Sequence, residues 1–136
     1  MLRRNDEIQA GIVAYLKSKT AITSLLYSDD PNEIKEDQWQ GTTSNYPNVR
    51  VRMISNIPAD AVCSASRYNV GIQVFSELDS SREADQIAGI IMGVLHVKGF
   101  TSSGIAFTST VTNVIPAISQ DVRTWRSEVL VSGIAS

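Results

Sequence analysis

Ala84, Ile87, Ala88, Ile91, Met92 and Leu95 recur at helical spacing, and this is the strongest helical pattern in the chain. Ser80-Ser81-Arg82-Glu83 just before it reads as an S-x-x-E capping box, which predicts a helix start. Gly99 is placed to cap its end. The reverse side of the same helix holds Gly89, Ile90, Gly93 and Val94, so the helix is apolar most of the way round. Such a helix is covered on more than one side. The second cover comes either from the chain itself or from another subunit. Gly89 and Gly93, one turn apart, would let a second backbone approach closely.

The other elements arrange themselves around this helix. Ile8, Ile12, Tyr15 and Leu16 share one helical face, with Asn5 placed to cap and Asp6 and Glu7 complementing the dipole. A short turn follows from Thr20 through Ala21, Ile22, Leu25 and Leu26. Ser28 to Asn32 is a turn signal, and a short strand is expected near Ile34 to Gln38. Val49, Val51 and Met53 alternate with Arg50, Arg52 and Ile54 as in a strand, which puts both arginines on the face opposite the valines. The connection Ser55 to Ser66 leads to a strand from Arg67 to Ser76, with Tyr68, Val70, Ile72 and Val74 on one face. Gly104 to Ile115 reads as a long strand with Thr108, Thr110 and Thr112 on one face, and Pro116 to Gln120 as a turn. The last strand, Val122 to Val131, sets Trp125, Ser127, Val129 and Val131 opposite Arg126 and Glu128. The predicted fold is α+β: a mainly antiparallel sheet with two helices packed on one face, in the order α-β-β-β-α-β-β. At 136 residues the chain is expected to form a single domain, 1–136, that buries a core without disulfides or metal.

Composition narrows the function. The formal net charge of −2 argues against a sequence-reading nucleic-acid binder. The N-terminal segment lacks the apolar core of a signal peptide, and no run of about 18 apolar residues exists to span a membrane, so a cytoplasmic, non-membrane product is expected. Cys63 and His96, the only cysteine and the only histidine, are read as a loop residue and a helix-terminal residue rather than a catalytic pair. Asp29, Asp30, Glu33, Glu36, Asp37, Glu77 and Asp79 do not have the spacing of a calcium loop. Phosphate-binding, serine-nucleophile and zinc-protease motifs are missing. No catalytic residue, cofactor site or metal site is therefore assigned, and no enzyme activity is expected. Arg50, Arg52 and Arg67 form the one local basic excess, and two roles stay open for them: facing DNA, or pairing with neighbouring acids.

The charge fraction, 19%, is below the roughly 25% usual for globular domains. The shortage is local. Residues 99–120 contain no Asp, Glu, Lys or Arg. A charge-free, threonine-rich strand suits either an inner strand or a surface covered by a partner, since interface centres are depleted of charge. Together with the apolar helix this makes Gly89, Ile90, Gly93, Val94, Thr108, Thr110 and Thr112 candidate self-association residues.

The sequence also carries a resemblance. Its parts are the helix Ile8 to Leu16 followed by Ala21-Ile22-Thr23-Ser24-Leu25-Leu26, then Tyr46-Pro47-Asn48-Val49-Arg50-Val51 and the strand Tyr68 to Phe75. Ser80-Ser81-Arg82-Glu83-Ala84-Asp85 opens the long helix, Leu95-His96 ends it, and Trp125 to Val131 closes the chain. In these features the chain resembles the tail terminator (tail completion) family of long-tailed bacteriophages. The resemblance implies a small α+β virion protein that forms a homohexameric ring at the head-proximal end of the tail. Such a ring ends tail-tube polymerisation and presents the surface for head-tail joining. The implied partners are further copies of itself, the tail tube protein and the head-tail connector or stopper. Phage DNA would pass through the lumen with transient, non-specific contacts. The implied location is the tail or neck of the virion, and the host cytoplasm during assembly. The alternatives are a head-completion or stopper protein of the neck, a small enzyme dependent on Cys63, and a generic adaptor domain.

Overall fold

Strict alternation in one central strand organises the molecule. In the computed structural model, which describes residues 2–36, 45–58, 65–78, 80–119 and 124–136, Tyr68, Val70, Ile72 and Val74 are all fully buried on one side of Ser66–Ser76. The elements run α1 (Asn5–Lys17), α2 (Thr20–Thr23), two short 3-10 turns, β1 (Ile34–Glu36), β2 (Asn48–Pro58), β3 (Ser66–Ser76), α3 (Arg82–Leu95), β4 (Lys98–Ser102), β5 (Ile105–Ser119) and β6 (Trp125–Ala135). The strands form one six-stranded sheet in the order β1-β2-β3-β6-β5-β4. Every neighbouring pair is antiparallel except β1 and β2, which are parallel. α1 packs over β1 and β2, and α3 over β3, β5 and β6. The expected α+β class therefore stands, with one strand more than the predicted order.

The core lies between the helices and the sheet. Ile8, Ile12 and Leu16 of α1 and Ile87, Ile91 and Leu95 of α3 are at most 1% exposed. A line of rings ties the far edge of the sheet to its centre. Tyr15 stacks on Phe100 at 3.7 Å, Phe100 on Phe107 at 5.0 Å, and Phe107 meets Tyr68 edge-on at 5.9 Å. The Tyr68 hydroxyl then crosses β6 and donates to the Thr108 carbonyl on β5 at 2.7 Å. The crossing needs Gly133, where a Cβ would lie 1.8 Å from the Thr108 oxygen and 2.8 Å from the Tyr68 hydroxyl.

Burial raises the Tyr68 phenol above its ordinary value of 10.0. The folded pKa lies above the unfolded one, so this group leaves stability untouched at lower pH and subtracts from it as pH climbs past about 10. In an alkaline absorbance titration, the Tyr68 phenol is expected to ionise only with unfolding. Ionisation of Tyr68 before any loss of structure, identified by the signal missing in Tyr68→Phe, would contradict this.

Several local expectations are corrected. Arg4, not Asn5, is the N-cap of α1, and Glu7 accepts its backbone N–H at 3.0 Å. The S-x-x-E phrase does not close into a capping box: α3 begins at Arg82, and Glu83 instead accepts from the Ser76 hydroxyl at 2.7 Å. Met92 faces out, 41% exposed. Gly99 lies inside β4, and the left-handed position after α3 is taken by Val97, at φ 51°. A hairpin not foreseen in the sequence joins β4 to β5 through Ser103 and Gly104, both at positive φ. Pro116 does not turn the chain, since β5 runs on to Ser119. β6 starts at Trp125, and Val122 lies outside the described residues, as do Gln38 and most of the segment 55–66 beyond Pro58.

A β-branched residue at positive φ is strained by roughly 1–2 kcal/mol. Val97→Gly is therefore expected to raise the melting temperature by several degrees, about 3–5 °C per kcal/mol at this size. An unchanged or lower melt would show that Val97 is held by contacts within the fold.

Candidate functional site

Two surfaces stand out, on opposite sides of the molecule. The first is the outer side of α3. Its inward stripe of Ala84, Ile87, Ala88, Ile91 and Leu95 is buried, whereas Gly89, Met92 and Gly93 are exposed and Ile90 and Val94 half-buried. A Cβ built at Gly89 or Gly93 meets nothing within 4 Å. These glycines differ from Gly133 and from Gly71, where a Cβ would sit 2.2 Å from a Glu128 carboxylate oxygen. Shallow grooves flank the exposed side of α3. One is lined by Met92, His96, Val111 and Asn113, the other by Tyr15, Lys19, Gly93, Val94 and Lys98. From residue 86 to residue 97 the chain carries no Asp, Glu, Lys or Arg.

The second surface is the face of the sheet that no helix covers. Strand parity places Lys35, Arg50, Arg52, Arg67 and Arg126 on it, with Glu128 as the one carboxylate among the described strand residues there. Glu128 is 6% exposed and receives the Arg52 guanidinium at 2.9 Å, in the space left by Gly71. Thus Arg52 pairs with an acid. Arg50 stands opposite Gln73, but Arg67 stands opposite Ile57 at the far end of the hairpin, so the three arginines are strung along the face and not gathered into one patch. Toward β5 the same face becomes neutral, with Thr108 and Thr110 exposed beside Leu130, Ser132 and Ile134. A bulge at Thr112 reverses parity, so Asn113 and Ile115 join this face and Val114 turns to the helix side. The structure therefore separates the helix group, Gly89 to Val94, from the threonines by the thickness of the domain.

β5 also presents an edge. β4 covers it only from Ile105 to Ser109. Beyond that, the Val111 N–H donates to His96 Nδ1 at 3.3 Å and the Ala117 N–H to Asp85 Oδ1 at 2.9 Å, both from the α3 region. Lys35, Arg126 and the exposed Met92 were not singled out by the sequence. Parity in β1 and β6 was the signal available for the two cations.

At the end of the sheet marked by Ser76, a cleft is lined by Tyr27, Tyr46, Pro47, Leu78, Glu77 and Glu83. Among the described residues, no group of three His, Cys, Asp or Glu is placed to hold a metal ion, and no helix is long and apolar enough to cross a membrane. Cys63, Asp37 and Asp79 lie outside the described residues.

No family model matches the sequence, and no curated protein matches it. Solved structures of similar fold do exist. A chain from the virion of a native gene transfer agent (GTA) particle superposes with a TM-score of 0.69 at 12% identity, over 94% of this chain and 93% of the other. A second solved chain gives a TM-score of 0.64 at 16% identity, over 98% and 96%. This chain therefore shares its fold with that virion chain over nearly its whole length.

Proposed function

We propose that this chain is a virion structural protein, without catalytic activity, that forms a homohexameric ring at the head-proximal end of a phage-type tail. The ring ends tail-tube polymerisation and presents the surface on which the head's connector or stopper docks. The observation that carries this reading is end-to-end fold overlap with a chain of a gene transfer agent virion. Two different surfaces on opposite sides of the protomer, each with an uncharged stretch, support it, because a closed ring needs two different contact faces on every copy. Capping follows from complementarity: one rim of the ring matches the last tube ring, and the other does not repeat that surface. DNA in the lumen meets a protein of net charge −2, which disfavours tight retention.

A density map of the intact particle tests the reading. The chain is expected as one ring between the tail tube and the connector, and particles lacking it should show tails of uncontrolled length that fail to join heads. Density on the head side of the connector, or normal tail lengths without the protein, would overturn the terminator role.

A further inference from the structure

We propose that the outer face of α3 in one protomer docks on the open sheet face of a second copy of this chain, in a head-to-tail contact. The inference rests on the ring reading above and specifies its contact. Three residues on or just past this side of α3 cost the isolated chain stability and gain no neighbour in exchange. Gly89 and Gly93 are each less favourable than alanine in a helix interior, although nothing lies near enough to forbid a side chain. Val97 holds a positive φ while 70% exposed. They stand at steps of four residues, and an incoming backbone would use the space the glycines leave.

Charge identifies the occupant. At the end of the sheet marked by Ser76, the helix side carries Glu77, Glu83 and Asp85 against Arg82 alone. At that same end the open face carries Arg50 and Arg126. At the opposite end Gly93 to Val97 on one side and Thr108 and Thr110 on the other are uncharged, with Lys19 and Lys98 flanking the first stretch and Arg67 at the level of Thr108 on the second; the Ser109 hydroxyl donating to the Leu95 carbonyl at 2.7 Å marks the shared level. Stacking copies helix face to sheet face with like ends level sets acids against arginines at one end and lays the uncharged stretches over each other at the other. A symmetric contact between parallel α3 helices would instead bring their acidic ends together. Because the two surfaces differ, the contact repeats from copy to copy and does not stop at a dimer; the ring reading requires its rotation to close.

Cysteine trapping tests this in the full chain with Cys63→Ser as background. Gly93→Cys plus Thr110→Cys in one chain should give, under mild oxidation, a covalent ladder that stops at the ring size. Either change alone should stay monomeric, and an equal mixture of the two single variants should stop at dimers. Self-linking of Gly93→Cys alone would overturn the proposal in favour of a symmetric contact. A ring-sized species in sedimentation without a ladder would overturn this contact and leave the ring reading standing. Monomers without a ladder would overturn the contact, and the ring reading would then be decided by the particle map. Charge reversal supplies a second readout. Asp85→Arg and Arg126→Glu should each weaken association at least tenfold, and mixing the two variants should restore it. Failure to restore, with both variants melting as folded proteins, would also overturn the pairing.

Discussion

Gly133→Ala is expected to unfold the protein or to lower its melting temperature by about 10 °C or more. The added Cβ would sit 1.8 Å from the Thr108 carbonyl oxygen, a backbone atom fixed by the β5–β6 ladder and by the Tyr68 hydroxyl. No side chain can swing away to make room, so β5 and β6 must part or the tyrosine must leave its partner. Overpacking of this kind costs roughly 3 kcal/mol or more. Gly99→Ala is the control, since its nearest neighbour would be an ordinary 3.9 Å contact, also within a strand. Equal melts for the two variants would refute the crossing of Tyr68 over β6.

Thr110→Asp and Val94→Glu should abolish assembly while leaving the monomer folded. Thr110 is exposed, so aspartate there should move the melt by no more than about 0.5 kcal/mol. Val94 is half-buried in a groove beside Lys19 and Lys98, which receives a carboxylate without isolating it. In a closed contact the Thr110→Asp charge loses its water and finds no partner, at roughly 2 kcal/mol or more, about 30-fold in each association step, and the Val94→Glu side chain adds bulk and charge to the docking face. Sedimentation and particle yield would report the loss, and thermal melts would report the fold. Normal rings from both variants would place the subunit contact elsewhere.

The parts of this fold legible in the sequence are those where one period persists. β3 keeps period two over its whole length and α1 and α3 keep helical spacing, because each buries a single face against one layer. Where the sequence misled, a local device overrode the period. β5 changes parity at Thr112 and continues through Pro116 because bulges reset the register and that edge has no neighbouring strand to need the missing N–H. β4 is five residues long and holds one large apolar side chain, Phe100, whose ring stack secures it. Ser103-Gly104 was its readable signal, a turn dipeptide between two phenylalanines. Of the candidate surfaces, the neutrality of residues 99–120 could be read directly. Of the basic half of the open face only Arg50, Arg52 and Arg67 could be read, because Lys35 and Arg126 join them only through strand order β1-β2-β3-β6.

The edge of β5 bears on how assembly ends. A bare strand edge is a template that accepts another strand, and then another, without limit. Here His96 and Asp85 occupy two of its donors, while Pro116 and the bulges spoil the remaining repeat. Growth through backbone pairing is thereby hindered at this edge. On the proposed ring reading, copies meet through their broad faces instead, and the guarded edge works against a fibre.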